Sequence, residues 1–246
     1  TENVVGNAFI CASVSGACNT LTTAPCCANA KIATFLGPGT FTVCGAAACA
    51  ANNLVSYMVV AGGASGGAGA TNGSAGGAGG GAGGFRETKS PVTPYTASPL
   101  CGYATPGNRI TVTATGYPIV VGGGGAAAVT VPTPPSNPGV PGATSTFSTI
   151  DSAGGGGGGS GQPVAACAVG TPGGSGGGGS WDVPGSGTRA PGGTGNTPPV
   201  SPAQGFAGGS GRHVGATHSV PGGGGGSSAV GHSETTSPPY GTAQGR

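Results

Sequence analysis

The chain has 246 residues, of which 59 are Gly and 22 are Pro, yet only seven are Lys or Arg and five Asp or Glu. A composition that is about one-third Gly and Pro points to low complexity and disorder, but disordered chains are kept open by charge, and this one has almost none. The net charge of +2, spread over Lys31, Arg86, Lys89, Arg109, Arg189, Arg212 and Arg246, forms no basic stripe for nucleic acid, and no apolar run approaches the ~20 residues of a membrane span.

Residues 1–34 form a Cys-rich lead. Thr1-Glu2-Asn3 has neither the basic start nor the apolar core of a signal peptide, so a secreted chain would already have lost one. Val4 to Val14, with apolar positions at Val5, Ala8 or Phe9, and Cys11, is expected to be a strand, with Lys31 to Leu36 and Thr40 to Cys44 following. The Ala-rich stretch Ala46 to Asn53 is the one place for helix, one or two turns long. Elsewhere Gly costs a helix about 1 kcal/mol per residue and Pro about 3.

Eight cysteines, Cys11, Cys18, Cys26, Cys27, Cys44, Cys49, Cys101 and Cys167, are an even set. None has the CxxC or Cys/His spacing of a zinc site, and His213, His218 and His232 lie far from them. Structural disulfides in an oxidising, extracellular compartment are the reading that suits a chain with so few large side chains, with buried free thiols as the alternative. Short-range pairs, Cys11 with Cys18 and Cys44 with Cys49, are expected because near neighbours meet most easily, and a Cys101–Cys167 link would then tie the sheet to the bundle.

Residues 35–150 alternate β-branched runs with glycine. Leu54 to Val60, Arg109 to Thr115 and Tyr117 to Val121 read as strands. After Asp151 the strands vanish, and Gly154 to Gly159, Gly176 to Gly179 and Gly222 to Gly226 are separated by Pro-containing turns. Residues 151–246 are therefore expected to be a bundle of extended segments of the polyproline II type, in which bare backbones approach closely and bond to one another between segments. A six-residue tract makes a rod of roughly 19 Å at about 3.1 Å per residue.

The segments "GPGTFTV" (37–43), "LVSYMVVAGG" (54–63), "GGGAGGFRE" (79–87), "TPGNRITVTATGYPIVVGGGG" (105–125), "PGATSTFSTIDSAGGGGGG" (141–159) and a final "PGGGGG" resemble, in this order, the glycine-rich β-domain of phage tail-fibre proteins and bacterial surface fibre proteins. The resemblance covers about residues 35 to 230. It implies an all-β fold, a sandwich or jelly-roll-like base with a glycine-rich bundle, and an extracellular structural or adhesive role. Such domains close with an apolar "GGSGIVIIRY"-like strand, which "SPPYGTAQGR" does not resemble. Strand donation is one expectation that follows: residues 3–14 of one subunit, through Val5, Phe9 and Ile10, complete the sheet of the next and build a head-to-tail homopolymer. The other is that residues 3–14 fold back on their own subunit.

No enzyme is expected. No GxSxG elbow precedes a triad, "GGASGGAGATNGSAGG" lacks the helix and acidic residue of a dinucleotide fold, and five scattered carboxylates make no acid/base pair. Neither a cofactor nor a metal is implied. Trp181, Phe206 and Tyr240 sit among glycine turns, where they serve either to recognise a cell-surface glycan or receptor or to shield backbone hydrogen bonds from water. Asn72-Gly73-Ser74 is a glycosylation sequon. The function expected is a structural subunit of an extracellular fibre, on a cell surface, in a secreted filament or on a virion. The alternative is a receptor-binding adhesin at the tip of a phage tail fibre.

Overall fold

The computed structural model describes residues 7–25, 27–70, 76–129, 137–161, 165–181, 189–214 and 218–233. The fold is all-β and falls into two interleaved units. One comprises Thr1–Val59, Arg86–Val121 and Thr146–Asp151, the other Val60–Phe85, Gly122–Ser145 and Ser152–Arg246.

In the first unit the apolar runs become strands. They are β1 (Cys11–Ser15), β2 (Thr20–Ala24), β3 (Cys27–Thr34), β4 (Gly39–Gly45), β5 (Leu54–Val55), β6 (Tyr57–Val60), β7 (Phe85–Thr88), β8 (Ile110–Thr111), β9 (Gly116–Val120), β10 (Ser145–Phe147) and β11 (Ile150–Ser152). Five of them form one sheet in the order β1-β4-β9-β10-β11, while β2-β3, β5-β8 and β6-β7 pair separately. The β1–β4, β4–β9 and β9–β10 pairs are antiparallel.

The core gathers the inward residues of these strands: Val43, Tyr57, Val59, Ile110, Phe147 and Ile150, with Val112 just beyond β8. Phe147 is its centre. Its ring lies edge-on to Phe41, Tyr57 and Tyr117 at centroid distances of 6.2, 6.0 and 6.2 Å, each such pair adding about 0.5–1.5 kcal/mol beyond the area it buries. The turn after Phe147 contains Ser148 at φ 55, so the tight β10–β11 connection is made by a residue that disfavours this region by about 1–2 kcal/mol. The Ala-rich stretch gives a single 3-10 turn, Ala50–Asn53. It is fixed by Asn53, whose side-chain amide accepts from Ala47 N–H at 2.8 Å and donates to Ala47 C=O at 2.9 Å.

The second unit is the glycine bundle. Its regular elements are few: one helical turn, α1 (Ala165–Ala168), and a hairpin of β12 (Arg212–Val214) and β13 (His218–Val220). The expectation that strands end at Asp151 is thus corrected: β11 runs past it, and β12 and β13 follow. These strands are three residues long, too short to leave a periodic signature.

Among the described residues, extended segments make up most of the rest, and their hydrogen bonds repeat every third residue. Ala61, Ala64 and Gly67 donate to Gly84, Gly81 and Ala78, while Gly62, Ser65 and Ala68 donate to Ala143, Val140 and Asn137. A step of three is the turn of a polyproline II helix, which aims each successive N–H at a different neighbour.

Residues 175–180 show the complete pattern. Ser175 and Gly178 donate to Ala82 and Gly79, Gly176 and Gly179 to Phe206 and Gly209, and Gly177 and Ser180 to Thr171 and Ala168, at 2.7–3.2 Å. Their carbonyls accept from three further segments: Ser175 and Gly178 from Gly156 and Gly159, Gly176 and Gly179 from Gly225 and Gly222, and Gly177 from Gly193. One rod is therefore bonded to six others, as in hexagonal packing. The buried backbone is satisfied without any β-ladder.

Close approach explains the composition. A Cβ on Gly156, Gly157, Gly158 or Gly177 would land on a carbonyl oxygen of the next rod, Thr171, Gly139, Ala78 or Gly157 respectively. On Gly123 it would meet nothing within 4 Å among the described residues.

Where a large side chain does enter the bundle, it acts as a peptide group. Gln204, 1 % exposed, accepts from Ala153 N–H at 2.8 Å through Oε1 and donates to Pro198 C=O at 2.8 Å through Nε2. Gln204→Leu keeps the volume and orphans both backbone groups. Each unpaired buried group costs about 1–3 kcal/mol, and about 2–4 °C is lost per kcal/mol in a protein of this size. Thermal unfolding is expected to shift down by roughly 5–15 °C, and an unchanged melting temperature would mean that water reaches this position.

Candidate assembly and recognition surfaces

The N-terminal segment reaches the sheet through ordinary backbone chemistry. Asn7 C=O accepts from Ala48 N–H at 2.8 Å, and Asn52 Nδ2 donates to Ala8 C=O at 3.0 Å. Ile10 packs on the core and Phe9 is half exposed. From Cys11 the chain pairs with β4 in the register Ala12↔Val43, Ser13↔Thr42, Val14↔Phe41 and Ser15↔Thr40. The strand expected over Val4 to Val14 begins at Cys11, and in the single chain it lies on its own sheet as the outer neighbour of β4. Of the three assembly candidates, Ile10 packs on the core in the single chain and Phe9 faces out. Val5 lies outside the described residues.

Among the described residues Cys11, Cys18, Cys44, Cys49, Cys101 and Cys167 are free thiols. Cys27 begins β3, and Cys26 lies outside the described residues. The expected Cys11–Cys18 pair is not joined in this structure: Cys11 begins β1, and Cys18 lies in the turn after it, at φ 62.

Trp181 is 8 % exposed and forms a small apolar cluster with Ala168 and Ala190, with Ala70 against it. Its burial sets it beside Ala168, whose C=O accepts from Ser180 N–H, and leaves it little exposed surface. Phe206 is half buried, and its own C=O accepts from Gly176. Asn72 and Tyr240 lie outside the described residues.

One polar cluster, in the first unit, was not expected. Arg86 and Glu87 are neighbours on β7, both buried. Arg86 donates to Asn108 Oδ1 at 2.6 Å and to Asp151 C=O at 3.3 Å. The Glu87 carboxylate accepts from Ser98 N–H at 2.9 Å and from the Ser98 hydroxyl, as well as from the Tyr95 hydroxyl. Tyr57 OH donates to Asn108 C=O at 2.6 Å and accepts from Thr88. Arg86 and Glu87 are each met by neutral partners, so the cluster ties the strands to the loop. "GGFRE" was the only signal of it in the sequence.

The two tyrosines make this cluster alkali-sensitive. Burial, then the Glu87 carboxylate, push Tyr95 up to about 12, and burial raises Tyr57. Because folding favours the neutral phenol, the stabilisation is complete below the ordinary tyrosine value near ~10 and is lost as pH rises from there towards about 12. The melting temperature is expected to fall across this window, and Tyr95→Phe to flatten the fall. An identical slope in wild type and variant would contradict the assignment.

Among the described residues no His, Cys, Asp and Glu gather as metal ligands, and no helix is long and apolar enough to cross a membrane. The chain belongs to the glycine-rich domain family, whose model matches residues 36–246. Comparisons with curated proteins and with solved structures gave no match. The matched part begins after β3, so β1, β2 and β3 lie outside it.

Proposed function

We propose that the chain is a structural subunit of an extracellular fibre built from identical copies, of the kind carried by phage tails or bacterial surfaces. The observation that carries this reading is the rod at residues 175–180, bonded to six neighbouring segments through peptide groups alone. A lattice held by backbone needs few side chains and resists shear by many parallel hydrogen bonds, which is what a thin load-bearing appendage requires.

Assembly follows from the sheet edge. A strand with unpaired N–H and C=O groups templates another chain, and the few charges of this sequence do little to blunt such an edge. The Cys11–Ser15 strand meets β4 in a register that two chains can form as well as one, so donating it to a neighbour's β4 joins subunits head to tail. The adhesin reading needs exposed aromatics, and the burial of Trp181 favours the structural role.

Electron microscopy of the purified chain, with sedimentation at rising concentration, tests this. Uniform filaments growing with concentration are expected. A monomer at every concentration, or a specific complex with a glycan in place of self-association, would contradict it.

A further inference from the structure

The β1–β4 register slips at one place. Ala12 faces Val43, but Cys11 faces Gly45, so Cys44 and Gly45 together oppose the single residue Cys11. Two residues against one is a β-bulge, and it breaks the alternation of side chains. Val43 points into the core, whereas both Cys11 and Cys44 are exposed. Following the inward Val43, Cys44 lies on the outer face, as Cys11 does beside the half-buried Ala12.

Gly45 leaves that face open. A Cβ there would stand 3.9 Å from the Cys11 Cβ and would meet the Asn7 amide, so a larger residue would crowd the space the two thiols share. Cys11 and Cys44 each adjoin the Ala12–Val43 pair on the same side, where neighbouring antiparallel strands hold facing Cα atoms about 4.5–5.5 Å apart, close to the roughly 4.4–6.8 Å that disulfides span.

We infer that Cys11 and Cys44 form a disulfide across the β1–β4 edge, within whichever pair of strands makes that edge. The reaction is thiol–disulfide exchange with a small-molecule disulfide such as oxidised glutathione. One cysteine thiolate attacks a glutathione sulfur and releases one glutathione thiol. The second cysteine thiolate then attacks the mixed disulfide and releases the other. Two cysteine thiols are oxidised to one disulfide while the glutathione disulfide is reduced to two thiols, the two cysteine protons passing to them. The bond ties the N-terminal strand, outside the family match, to the matched domain.

The pairing depends only on the register and holds whether or not the chain forms fibres. The full-length chain, equilibrated in a glutathione redox buffer, alkylated and digested, is mapped by mass spectrometry. A Cys11–Cys44 link is expected, and Cys11→Ser and Cys44→Ser should each expose one new alkylatable thiol, on the other residue of the pair, with the circular dichroism spectrum unchanged. On a non-reducing gel the same link in a monomer band places β1 on its own chain, and in a multimer ladder places it on a neighbour. Recovery of Cys11 and Cys44 both alkylated, or of either joined to another cysteine, overturns the pairing in both cases.

Discussion

Gly156→Ala is expected to lower the melting temperature by several degrees, although the change adds one methyl group and restricts the unfolded chain. Gly156 N–H donates to Ser175 C=O, and its own C=O accepts from Gly81. A Cβ would fall on the Thr171 carbonyl oxygen and 2.9 Å from the Pro172 carbonyl carbon. These are backbone atoms of a hydrogen-bonded rod, and they cannot rotate away as a side chain does. Overpacking of this sort costs about 1–3 kcal/mol, against the roughly 0.4–1 kcal/mol by which Gly→Ala stabilises a site with room for it. Gly123→Ala is the matched control, since its Cβ meets nothing within 4 Å, and it should leave the melting temperature unchanged or raise it slightly. Thermal melts of the two variants side by side read the sign. Equal, small effects would mean that the tract around Gly156 is a spacer.

Deleting residues 1–14 is expected to abolish fibre formation altogether. The deletion removes the partners of Val43, Thr42 and Phe41 and leaves β4 an open edge over an apolar core. A synthetic peptide of residues 1–15 should bind this edge through main-chain hydrogen bonds, place Ile10 against the core and restore thermal stability without restoring fibres, because a free peptide fills the edge and joins nothing. In excess it should also shorten the fibres of the full-length chain. Turbidity, microscopy and melting curves measure these outcomes. Fibres of unchanged appearance from the truncated chain would place the subunit contact on the faces of the glycine bundle.

Much of the first unit was legible because its strands carry β-branched runs: "GTFTVCG" became β4, "LVSYMVV" became β5 and β6, and "GYPIV" became β9. The strand β2, "TLTTA", has one large apolar residue and left no such mark. The tracts of the bundle were legible as extended rods, since Gly and Pro exclude helix. Which rod bonds to which was not, because every glycine tract reads alike and the pairing is decided by long-range packing. Gln204 shows the same limit. In "SPAQGF" it reads as a turn residue, and its use as a buried peptide mimic depends on Ala153 and Pro198. Trp181 permitted two roles in the sequence, and its burial beside Ala168 and Ala190 was not legible there. The nearness of Cys11 and Cys44 depends on the β1–β4 register, a long-range pairing that no periodicity reveals.

The hydrogen-bonded lattice of glycine rods is tested most directly by amide hydrogen exchange at Gly176, Gly177, Gly178 and Gly179. Their N–H groups are bonded to Phe206, Thr171, Gly79 and Gly209 on three different rods, so opening any one requires the rods to part, and all four should exchange only through large-scale unfolding. The N–H groups of Gly123 and Gly124, which make no such bond among the described residues, should exchange orders of magnitude faster in the same sample. Exchange at Gly176 to Gly179 as fast as in an unstructured glycine peptide would contradict the lattice, and with it the structural role built upon it.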